Sequence, residues 1–210
     1  MTLSIDLPTS PFARAALEAV QASESTPVAN HSIRSFLFAE LLARHEGVLD
    51  DASYDRDLLF AACVMHDLGT GTKAPGEQRF EVEGADLAAE VLTQHGFVAG
   101  DVDRVWEAIA LHSSPGIAER RGLLAYLTRE GIRIDFGHRP DVVMSREHHI
   151  HAKYPRMDMA RSLTDSIVAH AARSAATAPR YSLPGELARE RRERGISGME
   201  LAASSSVWKS

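Results

Sequence analysis

Apolar residues recur at three- and four-residue spacing along nearly the whole chain, the period of an amphipathic helix. Pro11-Phe12 opens a first helix, with Ala15, Ala16, Ala19 and Val20 on one face, running to about Ala22. Ser23 to Pro27 reads as a loop. Asn30 is the candidate N-cap of a second helix that carries Ile33, Phe36, Leu37 and Leu41 and ends near Gly47. Asp55 or Asp57 starts a third helix, whose unbroken apolar run Leu58 to Met65 ends in His66-Asp67. Gly69 to Gly76 is a loop by composition. Further helices are predicted over about 80–95, 101–113, 118–130 and 157–176. Ile132 to Phe136 alternates and fits either a short strand or the first turns of a helix. Residues 142–154 read as helix then loop. Pro179, Pro184 and the serines at 204–206 mark 179–210 as a weakly ordered or peripheral extension of a domain spanning 1–178. Regular βαβ alternation is missing, so the class is all-α, a compact multi-helix bundle.

Composition narrows the function without naming it. A chain of 210 residues with 44% hydrophobic and 25% charged residues is ordinary for one globular domain and can bury a core unaided. The net charge of -6 speaks against non-specific nucleic-acid binding. No apolar stretch reaches the ~18 residues of a membrane span. The N-terminus lacks the basic start and apolar core of a secretory signal, which makes a cytoplasmic protein the expectation. One cysteine, Cys63, rules out an internal disulfide; its apolar neighbours make it a buried small hydrophobe, not a nucleophile. Partners are expected to be small molecules, with neither nucleic acid nor membrane involved. Nothing requires or excludes a homo-oligomer.

The polar ending of the third helix is the point of chemical interest. Adjacent imidazole and carboxylate groups at the edge of an apolar core are costly to bury unless something satisfies both. A divalent metal ion would do so. If His31, in the first turn of the second helix, and a later Asp join them, the chain is a metal-dependent catalyst.

The order His31, then His66-Asp67, then a distant Asp135 resembles the HD-domain superfamily of metal-dependent helical enzymes. Asn30-His-Ser-Ile-Arg34, Met65-His-Asp-Leu-Gly69, Arg79-Phe-Glu-Val-Glu-Gly-Ala85 and Ala108-Ile-Ala-Leu-His112 are together similar to its cyanamide hydratase-like branch. The similarity covers roughly residues 28 to 145. It implies that His31, His66, Asp67 and Asp135 ligate one metal ion, and that the chain adds water to a small nitrile-like molecule such as cyanamide, giving urea. Asp141 and Asp165 are the substitutes for Asp135, whose local sequence departs from that branch. Two imidazoles and two carboxylates suit Zn²⁺ first, and also accept Fe²⁺, Mn²⁺ or Ni²⁺. Two negative ligands would leave the site neutral, which suits a neutral substrate. His112 is the first candidate for the proton carrier and Glu81 the second. Arg34 would orient substrate or a ligand carboxylate. Phe38, Leu68, Phe80, Trp106 and Phe136 are the expected pocket walls.

The runner-up is a metal-dependent phosphohydrolase acting on a nucleotide or another phosphomonoester. Thr70 weighs against it, standing where nucleotidase-like relatives carry a glutamate; Phe80, where two-metal relatives carry a further histidine, weakens the di-iron oxygenase and cyclic-dinucleotide phosphodiesterase readings. A phosphatase also needs converging cations, and only Arg34, Lys73 and Arg79 are near enough in sequence. Gly69-Thr-Gly-Thr-Lys73 lacks the ending of a phosphate loop. The His148-His149-Ile-His151 group has no acidic partner in register and reads as a loosely packed segment.

Overall fold

The computed structural model describes residues 6–208, which fold into helices and turns with no strand among them. Ten α-helices follow in order: α1 Pro11–Ser23, α2 Thr26–His45, α3 Arg56–Met65, α4 Phe80–Gln94, α5 Ala99–Leu111, α6 Leu123–Asp135, α7 Glu147–Lys153, α8 Met159–Ala171, α9 Leu183–Arg194 and α10 Gly198–Ser204. None is long and apolar enough to cross a membrane. The all-α reading from the sequence holds.

Local chemistry sets the helix starts. Ser10 accepts from the Ala13 N–H, and Pro11 follows it at the first helical position, where its missing N–H costs nothing. Asp55 caps α3 by accepting from Asp57 and Leu58, as the sequence predicts. For α2 the sequence misleads. The helix starts at Thr26 behind Ser25, with Pro27 in its first turn. Asn30 therefore lies inside the helix, where its side chain donates to the Pro155 carbonyl. His31 moves from the first turn to the second and is fully buried. Ile132 to Phe136 resolves as the end of α6, with Phe136 as its C-cap.

The core gathers on α3, whose residues Leu58 to Met65 are all buried. A helix apolar on every face must be enclosed by others. Phe60 meets Phe36 of α2 edge-on at 5.1 Å between ring centres, and Phe12 of α1 at 6.3 Å. Cys63 lies in this core, and burial pushes its thiol pKa up. α2 packs most extensively on α6. Gly131 permits that approach: a Cβ there would stand 2.4 Å from the Ser35 carbonyl oxygen. This contact brings His31 and Arg34 of α2 within reach of Asp135 on α6.

Residues 179–208 differ from the loose or peripheral segment predicted. They form α9 and α10, which pack on α8, and they end with Trp208 buried in the main core. The last turns of α9 are so rich in Arg and Glu that no apolar stripe marks a buried face, although Leu187 is buried.

Candidate metal centre

α3 ends at His66 because the chain turns there into a short 3₁₀ stretch, Leu68–Thr70. The Thr70 hydroxyl fixes that turn by donating to the Asp67 carbonyl at 2.8 Å. α4 then crosses the turn closely. Gly84 faces Gly69, and a Cβ on Gly69 would fall 1.9 Å from the Phe80 carbonyl oxygen. Gly84, with no side chain, is thus what lets α4 cover the His-Asp corner.

Three candidate ligands meet at this corner. His31, His66 and Asp67 are buried and each offers an atom within 4.8 Å of the other two. The His66 Nδ1–H donates to the Cys63 carbonyl at 2.7 Å, which leaves Nε2 as the lone-pair nitrogen, 3.0 Å from Asp67 Oδ2. With its proton on Nδ1, His66 presents a lone pair to that carboxylate oxygen, and no hydrogen bond joins the two. Asp67 Oδ2 and His31 Nε2, 3.9 Å apart, are both enclosed without a partner. A divalent cation would satisfy both of these buried acceptors at once. Two imidazoles and one carboxylate also match the three-ligand set of catalytic sites that keep an open position. The residues present therefore fit a divalent metal.

Asp135 stands elsewhere. Its Oδ2 lies 2.6 Å from His31 Nδ1, the ring nitrogen opposite the one that faces Asp67. Arg34 grips both carboxylate oxygens at 2.7 Å, and Arg156 adds a bond at 2.9 Å. Asp135 lies outside the three-residue cluster, in the position of a residue that fixes a ligand histidine's tautomer and ring angle. Arg34 also donates to the Tyr154 and Pro155 carbonyls, so each nitrogen of its guanidinium has a partner within the chain. Asp141 sits in a 3₁₀ turn and Asp165 pairs with Arg191, so neither joins the cluster.

The electrostatics follow from this packing. Burial alone would raise the Asp67 pKa, but the His66 and His31 imidazoles pull it down to about 2. Burial opposes a charge on His66, yet Asp67 wins and raises its pKa. His31 is lowered by burial despite Asp135. Asp135 would be raised by burial but is held well below the carboxylate range by Arg34. His112 falls to about 4, through burial first and His66 second. Sequence reasoning missed Glu24. Its enclosed Oε1 has no partner, and burial, then repulsion from Asp67, raises its pKa well above the usual range. Only its place one helical start before His31 could have hinted at this.

His31, His66 and Asp67 open onto a cavity of about 150 Å³ walled by Phe80, Ile132, Phe136, Leu163, Ile167, Leu183 and Met199. His112 and Ser113 complete the lining with Arg129. The His112 Nδ1–H donates to the Ile109 carbonyl, leaving Nε2 as its lone-pair nitrogen. Glu81 is one bond removed. It accepts from the Ser113 hydroxyl at 2.5 Å and is paired with Arg79. Of the expected walls, Phe80 and Phe136 are there. Phe38 packs on His151 and Trp208 instead. Trp106 lines a separate, larger groove of about 560 Å³ with Phe97 and Val102. Leu68 is buried in the core.

No curated protein matches the chain. The sequence profile of the HD domain family, whose members bind divalent metals, matches residues 28–171, from the start of α2 through the end of α8. That span carries His31, His66, Asp67, His112 and Asp135, and the chain belongs to the HD domain family of metal-dependent, hydrolase-type enzymes.

Proposed function

We propose that the chain hydrates a small neutral nitrile, with cyanamide as the reference substrate and urea as the product. The observation that carries this reading is the cavity. It is about 150 Å³ and most of its exposed lining is apolar, with His112, Ser113, Arg129 and the candidate ligands as its polar groups. Pockets for drug-sized molecules run from roughly 300 Å³ upward. A nucleotide would also need cations. Arg129 is the only Lys or Arg in the lining, and it is committed to Glu119 at 2.6 Å and to the His112 carbonyl at 2.5 Å. Arg34 is occupied at Asp135, and Lys73 and Arg79 are not part of the wall. These facts favour hydration over the phosphohydrolase alternative.

His31, His66 and Asp67 would hold the ion, with Zn²⁺ as the first candidate and Fe²⁺, Mn²⁺ or Ni²⁺ as others. Such an ion supplies Lewis acidity and makes hydroxide available near neutral pH. The chain's own residues do the rest. Asp135 holds the His31 ring with Nε2 presented inward. Apolar walls limit the water around the reacting groups and strengthen local charge interactions. In the hydration, a water oxygen bonds to the nitrile carbon and one water proton passes to the nitrile nitrogen. The resulting isourea tautomerises to urea. His112 is neutral at pH 7 with Nε2 free to accept, so it acts first as a base and then returns the proton to nitrogen. Glu81 positions the Ser113 hydroxyl at the cavity wall.

One assay decides between the two reactions. Metal-replete protein is offered cyanamide and a panel of nucleoside monophosphates, and urea and phosphate are measured. Urea release is expected; phosphate release without urea would overturn the hydration reading.

A further inference from the structure

The HD family match ends at residue 171, yet two side chains beyond it line the candidate metal cavity. Leu183 opens α9 and Met199 lies in the first turn of α10. Both line the cavity, and both pack with the buried Leu187 against Phe80, Leu163 and Ile167. This segment is fastened at several points. Ser182 caps α9 through the Gly185 N–H. Arg191 of α9 bridges Asp165 of α8 at 2.6 Å and Glu200 of α10 at 2.7 Å. Ser197 and Glu200 form a reciprocal capping box at the start of α10, and the buried Ser197 hydroxyl lies 3.4 Å from that of Thr164 on α8. Beyond α10, the Trp208 indole N–H donates to the Ile134 carbonyl at 2.6 Å, one residue before Asp135. Ser206 presses on Gly137, where a Cβ would stand 2.3 Å from its hydroxyl oxygen. Anchors on both sides of α10 hold Met199 in place over the cavity.

We infer that Leu183 and Met199 are specificity-determining residues: the α9–α10 segment forms the wall that limits the site to molecules of a few heavy atoms. The inference rests on the hydration reading for its substrate class, a short neutral nitrile, but the size limit follows from packing alone. A rigid apolar wall rejects each surplus methylene by about tenfold or more, because the group must displace packed side chains. Methionine suits the position, since its unbranched chain fills an irregular gap.

The test reads ligand binding apart from turnover. Full-length protein loaded with Co²⁺ is titrated with imidazole and its N-methyl, N-propyl and N-butyl derivatives, and binding is followed in the cobalt visible spectrum. Wild type is expected to bind the small members and to lose about tenfold or more by N-butyl. Met199→Ala and, independently, Leu183→Ala should recover the longer members about tenfold relative to imidazole. Leu201→Ala, on the exposed side of α10, should leave the series unchanged. Circular dichroism identifies any variant that fails to fold, and either cavity variant alone suffices. An unchanged length preference in the folded variants, or the same shift in Leu201→Ala, would overturn the wall. Urea release is assayed on the same wild-type protein. A shifted length preference without urea sinks the hydration reading and keeps the wall; urea with no shift does the reverse.

Discussion

His31 Nδ1 and Asp135 Oδ2 lie 2.6 Å apart in the core, on the side of the ring away from Asp67. The same carboxylate is held by Arg34 and Arg156, so one hydrogen bond joins the candidate metal corner to a buried charge network. Asp135→Asn keeps the shape but leaves two arginines without their counter-charge. Removing one partner of a buried pair costs on the order of 3 kcal/mol. Loss of a carboxylate behind a ligand histidine weakens metal binding by about 10- to 100-fold. Thermal unfolding and chelator competition should therefore both register the change. If Asp135 ligated the ion directly, the variant would lose metal altogether.

His112 gives a pH signature in the metal-free protein. Its pKa falls from 6.5 to about 4 on folding, so the folded state disfavours its protonation. A group lowered in this way contributes stability that is fully present above 6.5 and fades as pH drops toward 4. The full effect is on the order of 3 kcal/mol. His112→Gln should flatten the fall in stability across that window, measured by urea unfolding with chelator present. An unaltered pH slope would show that His112 is not held neutral.

Asp135 acts in a different window. Its carboxyl is depressed by Arg34 despite burial, so its contribution is present above the ordinary carboxylate range and is lost as pH falls below it. Between pH 5 and 7 the Asp135→Asn variant should parallel wild type at lower stability. The two should converge only under strong acid.

Gly69 and Gly84 test how α4 covers the corner. A Cβ on Gly69 meets the Phe80 carbonyl at 1.9 Å, whereas one on Gly84 meets its nearest atom at 3.0 Å. Backbone cannot yield to the first clash without moving α4. Gly69→Ala should cost about 2 kcal/mol or more, roughly a 5 °C fall in Tm, and should weaken metal binding as well. Gly84→Ala should be the milder of the two. The reverse order would contradict the close crossing.

Much of this was legible in the chain because its strongest patterns are local. The apolar run before His66 could only be a buried helix, and Asp55 sits where a cap belongs. Asn30 misled because Ser25-Thr26-Pro27 offers an earlier start that a propensity for caps alone does not rank. Asp135 was legible as a residue near the site, but its contact with His31 Nδ1 was not. Which nitrogen of His31 it meets depends on Arg34 and Arg156, and Arg156 is distant from both in sequence. Leu183 and Met199 were missed because their flanks are polar, and only tertiary packing turns two isolated apolar residues into a wall.

Metal content measures most directly whether His31, His66 and Asp67 hold a metal ion together. Protein purified without chelator, then analysed by inductively coupled plasma mass spectrometry, should carry about one divalent ion per chain. Folded Asp67→Ala should carry less than about a tenth of that, because one carboxylate and its charge are gone. A folded Asp67→Ala protein that retains a full equivalent would contradict the assignment.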